Sequence, residues 1–211
     1  MRNIATKNKI KQMKRNINLL LLSLLFLVGC VAKAQDKNQT VMANNKKVLV
    51  AYFSYSGTTK GYAEKIARYT GADIFEIQAA QPYTEDDVDW TKDDSCVNQE
   101  MKVHPDSRPG IKSKVENLAQ YDVVFLGFPI WWYIEPNIIN TFLETQDFRG
   151  KRIVPFFTSY SSGPGETDKH LHASIAYEVE WFNAVRANSM NDKQLKQWVE
   201  NAVKLTIIEI K

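Results

Sequence analysis

The stretch Val48-Leu49-Val50-Ala51-Tyr52-Phe53-Ser54-Tyr55-Ser56-Gly57-Thr58-Thr59-Lys60 decides the architecture. Its first six residues form a continuous apolar run, the pattern of a strand buried on both faces. A short, hydroxyl-rich segment follows. Beyond it Tyr62, Ala63, Ile66 and Ala67 fall on one helical face, and Gly71 ends the helix. Asp73-Ile74-Phe75-Glu76-Ile77 is a second, more alternating strand, as an edge position requires. Strand, helix and strand make one βαβ unit, which predicts an open parallel sheet with helices on both faces.

The pattern continues downstream. Val123-Val124-Phe125-Leu126-Gly127 reads as another buried strand, and Ile153 to Thr158 as a fourth. Pro155 fits inside that strand only if its missing N–H faces away from a ladder bond. A helix is expected from Pro136 through Leu143, with proline in its first turn. A fifth strand around Val179 to Phe182 and a helix from Asp192 to Lys204 complete the alternation. Between Ala79 and Gly110 there is little periodicity. Glu85, Asp86, Asp87, Asp89, Asp93, Asp94 and Glu100 make this connection acidic. Structureless connections this long are uncommon unless functional or disordered. It is either a lid, with Tyr83 or Trp90 at its edge, or a solvated acidic insertion.

The 211 residues carry a formal charge of +3, but unevenly. Arg2, Lys7, Lys9, Lys11, Lys14 and Arg15 precede residue 30, where there are no acids. Without those six, 21 basic residues face 24 acidic ones, a net charge of −3. The domain therefore has no electrostatic footprint for nucleic acid. The basic stretch precedes Leu19 to Val28, an apolar run interrupted only by Ser23. That run suits the apolar core of an export signal and is too short to span a bilayer comfortably. Leu27-Val28-Gly29-Cys30 resembles the bacterial lipobox, which implies a diacylated Cys30 as the mature N-terminus. Ala32-Lys33-Ala34 offers a competing cut before Gln35. The expected organisation is a signal peptide over residues 1–29, a polar tether over 30–46 and one folded domain over 47–211. The protein would then face the periplasm or cell surface on a lipid anchor, its only membrane contact, or be soluble in the periplasm.

Only Cys30 and Cys96 are present, so the mature domain has no intramolecular disulfide. The acidic surroundings of Cys96 should raise its pKa and favour a surface role over a reactive one. His104, His170 and His172 lack the spacing of a metal site and read as solvated loop residues.

The chemistry falls on the loops after strands one, three and four. Ser54 to Lys60 brings several hydroxyls, a glycine and the free N–H groups of a helix start, the parts of a phosphate cradle. It has neither the GxxxxGK[ST] nor the GxGxxG spacing, which argues against nucleoside triphosphates and NAD. The alternative is a Ser/Thr N-cap on an ordinary helix. Phe53-Ser54-Tyr55-Ser56-Gly57-Thr58-Thr59 resembles the flavodoxin phosphate loop. Tyr121 through Gly127-Phe128-Pro129-Ile130-Trp131-Trp132-Tyr133, then Pro136, resembles the flavin-stacking loop of bacterial flavodoxin-like proteins. Gly150-Lys151-Arg152-Ile153-Val154-Pro155-Phe156-Phe157-Thr158-Ser159, continuing to Gly163, is similar to their third flavin loop.

The resemblance implies a flavodoxin-like three-layer α/β sandwich with a five-stranded parallel sheet of order 2-1-3-4-5. It also implies FMN as cofactor. The implied contacts are Ser54, Ser56, Gly57, Thr58 and Thr59 for the phosphate. Pro129, Ile130, Trp131, Trp132 and Tyr133, with Thr158, Ser159, Tyr160, Ser161 and Gly163, would meet the flavin. In that sheet order ligands bind beyond the C-terminal ends of strands one and three, and all three loops emerge there. Trp131 or Trp132 is expected to cover one flavin face. A flavin takes up a hydride or passes single electrons, so no protein nucleophile or general acid is needed. No catalytic triad or carboxylate pair is visible. The implied function is electron transfer or flavin-dependent reduction, with a quinone or a redox protein as partner. The alternative is an exported binding or interaction module that keeps the fold without redox turnover.

Overall fold

The computed structural model describes residues 46–204. The expected leader, Cys30 and the expected tether up to residue 45 lie outside these residues. Six strands are present: β1 Val48–Tyr52, β2 Asp73–Glu76, β3 Val123–Pro129, β4 Arg152–Thr158, β5 Glu180–Trp181 and β6 Val185–Arg186. They pair in parallel in the order β2-β1-β3-β4-β5, with β6 also on β4. The expected three-layer sandwich and sheet order are present. β1 is buried along its whole length, whereas edge strand β2 is exposed or half-buried.

Helices α1 Thr58–Thr70 and α4 Asp192–Lys204 cover one face. Ala63, Ile66, Leu195 and Val199 pack there on Val50, Phe125 and Phe156. Helices α2 Asn137–Glu144 and α3 Thr167–Ala173 lie on the other face. There Ile138, Ile139, Phe142 and Leu171 join Leu49, Leu126 and Phe157. Full burial of such side chains contributes roughly 1.5–3 kcal/mol each. These two cores hold the C-terminal strand ends at one edge.

Three expectations need correction. The fifth strand is two short pieces, with β5 opposite Arg152 and Ile153 and β6 opposite Phe156 and Phe157. The break falls at Pro155. Ile153 accepts from the Phe182 N–H on that side, so by alternation Pro155 turns its missing N–H toward the break. The second helix begins at Asn137, not Pro136. Pro136 is its N-cap, with φ −62° and ψ 144°, extended rather than helical. His170 and His172 lie on α3 rather than on a loop, with the His172 ring 4.7 Å from that of Trp181. Among the described residues no group of His, Cys, Asp and Glu could hold a metal ion, and no helix is long and apolar enough to cross a membrane.

The acidic connection is folded. Ala79 bridges Ile111, and the Ala80 N–H donates to the Gly110 carbonyl at 2.7 Å. Buried Asn98 donates its side-chain amide to the carbonyls of Trp90 and Lys92. A short helix, Cys96–Asn98, continues into one π-helical turn, Gln99–Val103. Asn137 on α2 anchors this cover through the carbonyls of Glu100 and Pro105 and the Ser107 hydroxyl.

Candidate functional site

β1 delivers the first loop to the edge of the sheet. Gly57 is the N-cap of α1, at φ +83°, a left-handed conformation that only glycine adopts without cost. It supplies no side-chain cap, so the Ser/Thr capping alternative does not describe this helix start. The first N–H groups of α1 thus have no side-chain cap. The Ser54 hydroxyl is buried without a hydrogen-bond partner. Ser56 and Thr58 share a hydrogen bond at 3.1 Å, and both are exposed. Buried Thr59 bonds to the Thr158 hydroxyl at 2.8 Å, which ties the first loop to the end of β4.

The second loop contains a tight hairpin. Trp131 and Ile134 exchange both backbone hydrogen bonds, at 2.9 and 3.1 Å. Between them Trp132 and Tyr133 have φ of 45° and 72°. Positive φ at both central residues is the mark of a type I′ turn, usually made with Asn and Gly. A left-handed conformation costs an L-residue about 1–2 kcal/mol, so this pair carries about 2–4 kcal/mol that its surroundings must offset. The Trp131 ring meets Phe53 at 5.5 Å and Tyr83 at 5.3 Å, both edge-on. Trp132 meets Trp90 at 6.4 Å, and the Lys102 ammonium lies 3.3 Å above its ring. Its indole N–H is buried and without a partner. Both indoles are half-buried, each with one edge or face on protein side chains, whereas Tyr133 is 65% exposed.

The third loop closes against this turn. The Ile130 N–H donates to the Thr158 carbonyl at 3.0 Å. A Cβ at Gly165 would stand 2.1 Å from the Tyr133 carbonyl oxygen, so only glycine allows this approach. The Arg186 guanidinium donates to the carbonyls of Ser159 and Tyr160, and the Asn188 side chain also donates to Ser159. Ser161 and Gly163 are exposed, and Tyr160 is fully so. Pro129 and Ile130 are half-buried at the end of β3. The fold brings all three sequence-identified loops together at one sheet edge.

Comparison with protein families agrees with this geometry. The model of the family described as "Flavodoxin" matches residues 47–202. The chain belongs to the flavodoxin family. Among solved structures, a protein assigned as a flavoprotein in Bacteroides eggerthii DSM 20697 is 42% identical, with a TM-score of 0.70. It covers 77% of this chain, which in turn covers 100% of it. A second such protein, from Bacteroides uniformis ATCC 8492, is 41% identical with a TM-score of 0.69, at 74% and 98% coverage. A flavoprotein of Lactobacillus acidophilus NCFM, solved in complex with FMN, is 25% identical with a TM-score of 0.58. Coverage is 70% of this chain and 97% of that one. The comparison with curated proteins finds no match.

Several residues of this flavodoxin-family site had no sequence signal. Glu135, directly after the turn, is fully buried. One of its oxygens accepts from Asn140 at 3.1 Å, and the other has no partner. Burial raises its pKa to about 7 despite the hydrogen bond from Asn140. Arg186 and Asn188, far away in sequence, fix the third loop through carbonyls. A cleft of about 580 Å³ lies beside the first loop, lined by Phe53, Ser54, Tyr55, Glu76, Tyr83 and Lys112 among others. In the cover, the Cys96 thiol donates to Asp87 at 2.9 Å, and this bond together with burial raises its pKa to about 11. The unreactive reading of Cys96 agrees with that shift. The Tyr83 hydroxyl donates to both carboxylate oxygens of Glu100, whose pKa burial raises.

Proposed function

We propose that this flavodoxin-family domain binds one FMN and uses it for electron transfer or reduction of a small acceptor such as a quinone, or of a redox protein. The observation that carries this reading is the start of α1. A glycine-led, uncapped helix terminus is surrounded by the hydroxyls of Ser54, Ser56, Thr58 and Thr59, and the Ser54 hydroxyl lacks a protein partner. The residues present therefore fit a phosphate. The first loop lacks the GxGxxG spacing of dinucleotide sites, which favours FMN over FAD. The FMN bound to the Lactobacillus acidophilus flavoprotein supports the same cofactor.

Bound FMN supplies hydride uptake or single-electron transfer. The protein binds and orients. Gly57 and the first turn of α1 hold the phosphate. Pro129, Ile130 and the Trp131–Tyr133 turn form one wall, and Thr158, Ser159, Tyr160, Ser161 and Gly163 form the other. Trp131 or Trp132, each half-buried, would cover one flavin face, and the exposed rings of Tyr133 and Tyr160 are also open to it. The cleft beside the first loop falls within the size range of small-molecule sites and gives an acceptor a place to enter.

The relatives speak for flavin binding and not for turnover. A flavodoxin-fold binding module without redox turnover therefore stands beside the first reading. Reoxidation separates the two. Without oxygen, the chemically reduced holoprotein should be reoxidised by a soluble quinone, which leaves as the hydroquinone, at least tenfold faster than it reoxidises in quinone-free buffer. Equal rates would leave the binding module.

The leader belongs to the same proposal: residues 1–29 as an export signal, Cys30 as the lipidated N-terminus and 30–46 as a tether to the domain at 47–211. The six basic residues and the ten-residue run from Leu19 to Val28 support it. A palmitate analogue should label the protein in a bacterial host, and Cys30→Ala should abolish the label. Cleavage after Ala34 without labelling would make it a soluble periplasmic protein.

A further inference from the structure

We propose that Lys102 is a positioning residue: its ammonium, stacked on Trp132, latches the strained Trp132–Tyr133 turn that presents Tyr133 to the flavin. The part concerning flavin rests on the function proposed above; the latch itself does not.

Two adjacent left-handed residues, neither glycine nor asparagine, persist only where the surroundings over-determine them. The contacts on the turn come from two sides. Gly165 touches the Tyr133 carbonyl from the third loop. From the cover, Lys102 lies 3.3 Å above the Trp132 ring and Trp90 meets its edge. The indole N–H has no hydrogen-bond partner, so nothing polar anchors this ring except the cation on its face.

Lys102 is itself held in place. It belongs to the π-helical turn Gln99–Val103, whose Met101 is buried. The neighbouring Glu100 carbonyl accepts from Asn137 on α2, and the Glu100 carboxylate accepts from Tyr83. Single π-helical turns often mark functional places. Here the wider turn carries Lys102, whose ammonium stacks on the hairpin. The acidic connection is thus a strap fastened to α2 through Asn137 and braced internally by Tyr83, with Lys102 as its contact to the turn.

The full chain carrying Lys102→Met or Lys102→Arg tests this. Arg keeps a cation able to stack on the ring, whereas Met keeps the length and loses the charge. The Trp131 and Ile134 amides, bonded to each other's carbonyls across the hairpin, report directly on the turn in protein without flavin. Their hydrogen exchange should quicken about threefold to tenfold in Lys102→Met and stay within about twofold in Lys102→Arg, as expected for loss of one cation–π contact. Amides of β3 and β4 should not change. FMN affinity should weaken by the same factor, and Lys102→Met should have no effect in a Trp132→Leu background. Unchanged exchange at both amides in Lys102→Met would overturn the latch whether or not flavin binds. Faster exchange with unchanged FMN affinity would overturn its link to the flavin. A wild type that takes up no FMN would defeat the cofactor reading, with exchange at the two amides still deciding the latch.

Discussion

Replacing Gly57 with Val should abolish FMN binding and leave the domain folded. The protein leaves open space around this position: a Cβ built there meets nothing within 4 Å. The cost to the fold is therefore confined to the positive φ of 83°, about 1–2 kcal/mol for an L-residue. At roughly 2–4 °C per kcal/mol for a domain of this size, melting should fall by about 2–8 °C. The cost to binding is larger. A valine forced toward negative φ swings the N–H groups of the first turn away from the phosphate, and its methyls occupy the approach. Hydrogen bonds to a charged group contribute about 1.5–3 kcal/mol each. Losing two removes about 3–6 kcal/mol, more than a hundredfold in affinity. Quenching of flavin fluorescence measures it. Wild-type affinity in Gly57→Val would mean that the loop only starts a helix.

The second large effect concerns Glu135 and pH. In the unfolded chain this carboxyl ionises near 4.3, as model glutamates do. In the folded protein burial raises its pKa to about 7, with Asp168 adding in the same direction. The folded state therefore holds the proton where the unfolded state has released it. Stability is fully present below about pH 4.5 and declines as pH rises toward 7, levelling off above. A difference of about 2.5 units corresponds to roughly 3 kcal/mol. Glu135→Gln keeps an acceptor for Asn140 and offers an amide N–H to Thr167, whose buried hydroxyl has no partner. The variant should be about 2–3 kcal/mol more stable than wild type at pH 8 and nearly equal at pH 4.5. Urea unfolding at several pH values measures this. Parallel profiles for the two proteins would show that Glu135 does not ionise across that range.

The sequence made the sheet legible because parallel strands are buried on both faces and read as unbroken apolar runs. Val48 to Phe53 and Val123 to Gly127 needed no context. The fifth strand expected at Val179 to Phe182 contains β5, whereas β6 was not legible because it is two residues long and follows a break at Pro155 of the neighbouring strand. The site was legible as three loops at one edge, which follows from topology. Its inner geometry was not. Trp132 and Tyr133 carry no glycine or asparagine to announce positive φ, so the hairpin and the contacts of the two indoles with Tyr83, Trp90 and Lys102 were hidden. The cover from Ala79 to Gly110 is built on side-chain bonds such as Asn98 to Trp90 and Cys96 to Asp87, which leave no periodic trace. Arg186 and Asn188 act on carbonyls some 25 to 30 residues away and give no local signal.

That this chain is an FMN protein can be read from the flavin content of the purified protein. Protein made with flavin available should be yellow, and acid treatment should release one FMN per chain, identified by chromatography, with no FAD. If it is purified as apoprotein, added FMN should bind at one per chain and FAD should not compete. A colourless protein that takes up neither flavin would contradict the account.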